Sequence, residues 1–156
     1  MKPDIGIDKK DLIKVTEILQ TILADETVLF QKTKIFHWNV TGSHFLSYHE
    51  LFDKQAGEIT ETIDAIAERI RALGERVKAT LAESVKSSSL KEQDKLEVLA
   101  EDMIKELLKD HEEIIRAIRK NLSKVVKHGD DGTADFLTSI MEEHEKTTFF
   151  LRSHLE

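Results

Sequence analysis

Residues 52–73 read FDKQAGEITETIDAIAERIRAL, and this stretch decides the fold. Its apolar side chains recur every three or four residues, which is the spacing of one face of an α-helix. Gly74 follows at once, and glycine is common just after the last turn of a helix. The segment therefore predicts a long amphipathic helix that ends at this glycine. The apolar face consists of Phe52, Ala56, Ile59, Ile63, Ile66, Ile70 and Leu73.

The same spacing predicts three more long helices. Asp8 is a suitable N-cap for the first of them. Breaks that contain glycine separate the first helix from the second and the third from the fourth. The three segments are Asp8–Trp38, Leu96–Val125 and Thr133–Leu151. Leu99 is one of the apolar residues of the second segment.

The middle of the chain is less regular. Residues 75–90 contain Leu81, Val85 and a triple serine, which indicate a connector that carries a short helix. Four amphipathic helices with short first and third links and a long middle link are typical of a four-helix bundle. The long link allows the second and third helices to run parallel. We expect an all-α fold with one domain over residues 1–156.

Composition agrees with one domain and narrows the class of protein. The chain has 156 residues, one proline, six glycines and no cysteine, which suits long helices and excludes disulfides and thiolate metal sites. There is no apolar run long enough for a membrane span and no signal-peptide core, so a cytoplasmic protein is expected. The net charge of −7 is opposite to the basic excess of most nucleic-acid binders.

A second stripe of residues on the same helix has a different character. With Phe52 at zero on a wheel of about 100° per residue, the apolar face lies within about 40° of zero, and the second stripe lies between about 60° and 160°. We call it the ligand stripe. It consists of His49, Asp53, Asp64 and Glu68.

The ligand stripe contains two pairs of possible metal ligands. His49 and Asp53 are four residues apart, and so are Asp64 and Glu68, so each pair can reach one ion. The two pairs are separated by about 16 Å along the helix, whereas metal–ligand bonds are about 2 Å long. Either each pair forms a separate, poor site, or a second copy of the helix packs antiparallel and joins the pairs across a two-fold axis. Gly57 lies midway, where it would permit close approach of such a partner.

The chemistry of these residues limits the metal. Imidazole and carboxylate together suit Fe(II), Mn(II) or Zn(II). The alternative is that charges four residues apart simply decorate a solvated helix face. A di-iron site inside a bundle uses Glu-x-x-His pairs, and none of the seven histidines has an acidic residue three positions before it. The sequence therefore gives no basis for that interior site.

These residues resemble a known family. The motif combines His37-Trp38-Asn39-Val40, Gly42, Phe45, His49, Asp53 and the run from Asp64 to Arg69. It is similar to that of the Dps proteins, which are mini-ferritins named for DNA protection in starved bacteria. The resemblance extends over nearly the whole chain and implies a ferritin-like four-helix bundle.

The resemblance also implies an activity. Dps proteins form hollow shells of twelve subunits built from two-fold dimers, with a ferroxidase site between two-fold-related subunits. His37, His49 and Asp53 would come from one chain, and Asp64 and Glu68 from the other. Fe(II) would be oxidised, preferably by hydrogen peroxide rather than oxygen, and stored as ferric mineral, which limits oxidative damage to DNA. Zn or Mn is expected to compete for the same site.

Three further residues have roles implied by the resemblance. Trp38 would lie near the iron as a local electron donor. Asp131 and Asp135, four residues apart at the start of the fourth helix, match acidic positions that line the three-fold iron pores. The alternative for this pair is that acidic residues simply favour helix N-termini.

DNA binding is predicted to be weak or absent. Residues 1–8 combine one lysine with two aspartates, and the chain ends at Glu156 without a basic extension. Phosphate contact by cations dominates DNA affinity. A DNA-binding shell with vestigial metal sites is therefore the second hypothesis, and a helical adaptor is the third.

Among the other histidines, His144 is predicted to be a core residue, and His44, His111, His128 and His154 are predicted to be structural or exposed.

Overall fold

A computed structural model describes residues 3–95 and 97–156. Met1, Lys2 and Leu96 lie outside the described residues, so the predictions that involve them are not tested there. The described residues form five helices and no strand, which confirms the all-α fold class. The helices are α1 (Lys9–Asn39), α2 (Phe45–Ala72), α3 (Leu81–Ser87), α4 (Ala100–Lys127) and α5 (Asp131–Ser153).

Two helical hairpins make the bundle. Short links place α2 against α1 and α5 against α4, and α1 also packs on α4. The faces between them are apolar, and burial of these side chains is the main source of stability. None of the helices in the described ranges is long and apolar enough to cross a membrane. The largest fully buried apolar side chains include Leu19, Ile22, Leu23, Leu29, Phe36, Phe52, Ile66, Ile70, Met103 and Ile104.

Several helix ends agree with the sequence. Asp8 is the N-cap of α1, and its carbonyl accepts the amides of Asp11 and Leu12 at 2.9 and 3.0 Å. Gly74 follows α2 with φ +94°, a left-handed conformation that favours glycine. The short helix predicted within the connector is α3.

Two predicted boundaries were wrong. The third long helix was expected to include Leu99, but α4 begins at Ala100. Leu99 is its extended N-cap, its side chain makes no capping hydrogen bond, and it is 75% exposed, so a residue at the helical spacing lies outside both the helix and the core. The last helix begins at Asp131 rather than Thr133, because the side chain of Asp130 accepts the Thr133 amide and caps it.

The long connector is fastened to α1 by polar contacts. The buried carboxylate of Asp25 accepts the Ser88 hydroxyl at 2.8 Å and the Ser89 amide at 2.6 Å. Burial raises the pKa of Asp25, while these hydrogen bonds oppose that rise. Gln20 bonds the backbone of Arg76 and Lys78. The connector therefore lies along α1 in one position.

The bundle also buries charged and polar groups. The ammonium group of Lys32 is almost fully buried and pairs with Asp110 at 2.6 Å and Glu106 at 3.0 Å, which joins α1 to α4. Burial raises the pKa of Asp110, and the contact with Lys32 offsets only part of that rise. A separate group, which we call the inner cluster, consists of Glu26, His111 and His144.

The inner cluster is a chain of two hydrogen bonds. His144 Nε2 lies 2.7 Å from Glu26 Oε1, and its Nδ1 lies 2.7 Å from His111 Nδ1. Burial lowers the pKa of His111 well below its usual value. His144 is thus a core histidine, as predicted, and His111 is also structural. His128 pairs with Asp11 near the surface at 2.7 Å.

Candidate metal centre

Two histidines from different helices lie face to face. His37 is in the last turn of α1 and His49 is in the second turn of α2, and the five-residue link from Val40 to His44 brings these helix ends together. Their rings are stacked with centroids 3.8 Å apart. His37 Nδ1 lies 2.9 Å from the carbonyl of His49, and His49 Nδ1 lies 2.9 Å from the carbonyl of His37. The pair therefore closes the α1–α2 hairpin in a reciprocal way.

These contacts decide which ring nitrogen can bind a metal. A carbonyl oxygen only accepts hydrogen bonds, so each Nδ1 must carry a hydrogen. In the neutral rings both Nε2 atoms then hold lone pairs. A backbone carbonyl that holds the other ring nitrogen is the usual way in which proteins orient a ligating histidine. In both side chains, Nε2 is thus the nitrogen that could bind a metal.

A carboxylate lies beside this pair. Asp53 Oδ1 is 3.7 Å from His37 Nε2 and 3.0 Å from the ammonium group of Lys34. The hydrogen bond from Lys34 is the main reason that the pKa of Asp53 is lowered. Lys34 thus holds the Asp53 carboxylate close to the imidazole of His37. Sequence analysis missed Lys34, although its position one turn before His37 was a possible signal.

The second carboxylate pair lies elsewhere on α2. Asp64 and Glu68 are exposed and follow Asp53 by three to four helical turns. Within residues 3–95 and 97–156, no three His, Cys, Asp or Glu side chains come together closely enough to hold a metal ion. One protomer thus stacks His37 on His49 and leaves Asp53 3.7 Å from His37, which does not make a three-residue metal site by itself, and the other carboxylate pair lies about 16 Å away along the helix.

Gly57 lies between the two pairs. A Cβ atom built at this position would meet nothing within 4 Å in the described part of the chain. The protomer itself therefore does not require glycine here, although glycine in a helix costs about 1 kcal/mol relative to alanine.

The far end of α2 is tied to the start of α5. Arg69 donates to Thr133 Oγ1 and to Asp130 Oδ1, each at 2.8 Å. Asp130, and neither of the predicted pore residues, caps α5. Asp131 and Asp135 are both exposed in the first turns of that helix. Arg69 is part of the sequence motif, but sequence analysis gave it no role. Its two bonds to α5 fix the position of α2 at the residue immediately after Glu68.

Trp38 is next to the histidine pair in sequence but lies on the surface. Its ring is 61% exposed, and the ammonium group of Lys34 lies 5.6 Å from the ring centroid. Lys34 thus contacts both the indole and Asp53. The arrangement connects Trp38 to the cluster through one flexible side chain.

Comparisons with known proteins identify the family and the fold. The ferritin-like domain model matches residues 16–156. An uncharacterized low temperature-induced protein of Nostoc sp. is 39% identical over 154 residues, which cover 98% of this chain and 86% of that protein. DNA protection during starvation protein 2 of Bacillus anthracis is 37% identical, with 91% and 97% covered. A Vibrio cholerae Dps structure, described as a member of a superfamily of ferritin-like diiron-carboxylate proteins, is 25% identical with a TM-score of 0.94, and 99% and 97% are covered.

Proposed function

The chain belongs to the ferritin-like family and, within it, to the Dps proteins, and from this premise we propose that it is a ferroxidase that oxidises Fe(II) at a centre shared by two subunits. Membership of this family implies iron storage and DNA protection. The proposal adds the chemistry, the residues and the assembly.

One observation carries the proposal. His37 and His49 each use Nδ1 to bond the other's backbone, which leaves both Nε2 atoms free as ligands beside the ionised Asp53. Imidazole and carboxylate donors fit ferrous iron, and they also fit zinc or manganese, which we expect to compete.

The partner subunit completes the centre. Asp64 and Glu68 are exposed, and α2 cannot fold back on itself to bring them to Asp53. A two-fold axis near Gly57 would place this pair of one chain opposite His37, His49 and Asp53 of the other, and symmetry then gives two equivalent centres. We further propose that such dimers assemble into a hollow dodecamer, in which the ferric product is stored.

The reaction needs an electron acceptor and a path for iron. Two ferrous ions lose one electron each, and hydrogen peroxide takes both electrons and becomes two hydroxide ions. Oxygen is the alternative oxidant. Asp131 and Asp135, both exposed and free of the capping role, are proposed to line the iron pores. Trp38 is proposed as a local electron donor.

Protection of DNA would follow from this chemistry rather than from coverage of DNA. The chain has 30 acidic and 23 basic residues, and the resulting net negative charge repels the phosphate backbone of DNA. Consumption of Fe(II) and peroxide together removes both reactants of hydroxyl-radical formation. A structural DNA-binding shell would instead need tight binding, so a tight complex in a low-salt gel shift would favour that second hypothesis.

Subunit mixing tests the shared centre directly. His49→Ala with Asp53→Ala damages one half of each centre, and Asp64→Ala with Glu68→Ala damages the other half. Each double variant alone should lose at least about 100-fold in the initial rate of peroxide-driven Fe(II) oxidation, since even loss of an outer partner of a ligand costs 10–100-fold.

Refolding the two variants together distinguishes a shared centre from separate sites. Half of the random dimers are mixed, and each mixed dimer contains one intact and one doubly damaged centre, so about a quarter of the wild-type rate should return. Refolded wild type is the control for recovery. If the mixture stays as inactive as the separate variants, while all samples assemble alike in size-exclusion chromatography, the shared centre is wrong.

A further inference from the structure

The inner cluster connects three helices of the bundle. Glu26 lies on α1, His111 on α4 and His144 on α5. Among the described residues, the contact of His144 with Glu26 is the one side-chain hydrogen bond between α5 and α1. The cluster therefore gives α5 a polar connection to the first helix that no other hydrogen bond duplicates.

A cleft between α2 and α5 leads from the surface to this cluster. It has a volume of about 450 Å³, and all three residues of the inner cluster line it. On the helical wheel used above, the lining residues Gln55, Glu58 and Thr62 of α2 lie between about −60° and −120°. They are thus on the opposite side of the apolar face from the ligand stripe. Protons can reach the cluster through the cleft without passing the candidate metal centre.

The two hydrogen bonds limit how many hydrogens the cluster can hold. The 2.7 Å contact between the Nδ1 atoms of His111 and His144 contains one hydrogen, because one nitrogen must donate and the other must accept. The 2.7 Å contact between His144 Nε2 and Glu26 Oε1 likewise contains one hydrogen. While Glu26 is a carboxylate, the remaining position is His111 Nε2, which has no partner among the described residues. The closed cluster, with both bonds intact, therefore holds two or three hydrogens.

A fourth hydrogen is incompatible with the closed cluster. It makes both histidines cationic, so both Nδ1 atoms carry a hydrogen and two donors face each other across 2.7 Å. Burial lowers the pKa of His111 well below its usual value, and the charge of His144 acts in the same direction. The closed cluster thus resists a charge on the second ring for reasons of both geometry and burial.

The other charged side chains near the cluster do not remove this limit. Asp110, next to His111 on α4, pairs with the ammonium group of Lys32 from α1 at 2.6 Å. The charged residues that share the cleft have both signs, and among the described residues none of them bonds either histidine. They are Lys54, Glu58 and Glu61 from α2, and Glu143 and Lys146 from α5.

An open cluster, in which the rings are separated and solvated, takes up more protons. A solvated histidine has a pKa of about 6.5, so both rings are charged at about pH 5 and the open cluster carries four hydrogens. Stability falls with decreasing pH wherever the open state binds more protons than the closed state. The stabilisation by the closed cluster is therefore complete above about pH 6.5 and is lost progressively below it.

We propose that the inner cluster is a pH switch, which holds α5 against α1 when it is closed and releases α5 from the bundle when both rings become charged. α4 should stay in place, because the buried pair of Lys32 and Asp110 ties it to α1 independently of the cluster. The cleft already separates much of α5 from α2, which leaves room for α5 to move. A purely structural cluster, whose loss of protons is felt only when the whole subunit unfolds, is the competing explanation.

Hydrogen exchange measured by mass spectrometry tests the switch in the assembled protein. Labelling at about pH 7.5 and about pH 5, with times scaled for the intrinsic exchange rate, gives the protection of each helix from local opening. Protection of α5 in the wild type should fall about 30-fold, which is the change for one extra proton in the open state. α2, which contributes no residue to the cluster, should keep its protection.

The wild type alone can overturn the proposal. Unchanged protection of α5 at the lower pH, or an equal loss of protection in α2, would show that acid does not open α5 separately. No metal and no oxidant are present in this experiment, so its outcome is independent of the proposed ferroxidase activity.

His111→Asn identifies the group that is responsible. Asparagine does not titrate, and its amide oxygen can accept the Nδ1–H of a charged His144, so the second ring no longer opposes the first. The loss of protection in α5 between the two pH values should shrink to less than about threefold, whatever the variant costs at the higher pH. His44→Asn replaces an exposed histidine and should keep the full loss, so it is the matched control. An equal loss in the two variants would contradict the switch.

Discussion

The ligand stripe and the inner cluster both combine imidazole with carboxylate, but they differ in what completes them. Asp53, Asp64 and Glu68 of the stripe are exposed, and its two ends lie too far apart to cooperate in one chain. All three residues of the inner cluster are buried and already bond one another. The first region therefore depends on assembly, whereas the second depends on the fold of a single subunit.

This difference predicts which property each region controls. A buried polar group must be satisfied within the protein, so changes in the inner cluster should alter the free energy of unfolding. An exposed carboxylate is already satisfied by water, so changes in the stripe should alter oxidation or association and leave folding almost intact.

The largest effect on stability is expected in the inner cluster. His144→Leu leaves the fully buried Glu26 carboxylate without its partner and should lower the free energy of unfolding by about 3–5 kcal/mol. Asp64→Asn in the stripe should change it by less than about 0.5 kcal/mol. Urea unfolding measures the free energy of unfolding of both variants, at the same protomer concentration and with a chelator present so that assembly and bound metal do not differ between them. Equal values for the two variants would remove the distinction between the regions.

A smaller loss is expected where α2 is tied to α5. Arg69→Ala removes two hydrogen bonds to Asp130 and Thr133, one of them to a buried carboxylate, and should cost about 1.5–3 kcal/mol. Among the described residues, the neighbouring Arg71 side chain bonds only the Glu75 carbonyl at 2.7 Å, so Arg71→Ala is the control and should cost under about 0.5 kcal/mol. Similar midpoints for the two alanine variants in urea would argue against the role of Arg69.

A substitution at Gly57 should weaken association of the subunits and leave folding unchanged. A Cβ atom at this position meets nothing within 4 Å in the described part of the chain, but a leucine would obstruct a partner helix at a cost of about 1–2 kcal/mol, or roughly 10–30-fold in the dimer dissociation constant. Ala65→Leu places the same side chain about 80° further round α2, on the face towards α5, and should leave association unchanged. Sedimentation velocity over a dilution series measures this, and an unaltered dimer in the Gly57 variant would displace the two-fold axis from this position.

The smallest effect is expected at the proposed pore. Asp131→Asn with Asp135→Asn should slow iron uptake a few-fold at low ionic strength, because fewer charges attract the cation, and the difference should shrink in salt. Asp102→Asn with Glu142→Gln removes the same charge from other exposed positions. Stopped-flow oxidation at two salt concentrations makes the comparison. Identical uptake by both double variants would remove the pore assignment.

Much of the fold was predictable because helical periodicity is a local property. The apolar stripe of α2, its end at Gly74 and the capping position of Asp8 all depend on neighbours within a few residues. The start of α4 was misplaced at the exposed Leu99, since an apolar residue at the right spacing can still lie outside the helix. The sequence also placed His49, Asp53, Asp64 and Glu68 on one stripe of one helix, and their role as metal ligands stays a prediction.

Contacts between distant segments could not be predicted in the same way. Lys34 contacts Asp53 only because the α1–α2 hairpin closes. The inner cluster escaped a search for Glu-x-x-His because its members are separated by 118 and 33 residues along the chain and come from three different helices.

The sequence by itself determined the helices, their polar and apolar faces and the ligand stripe on α2, since a regular helix converts spacing directly into direction. Only the tertiary structure decided which nitrogen of each stacked histidine bonds the backbone, which cation holds Asp53 and which buried side chains form the inner cluster. Those features depend on the packing of helices against one another, and packing is decided by the whole chain at once.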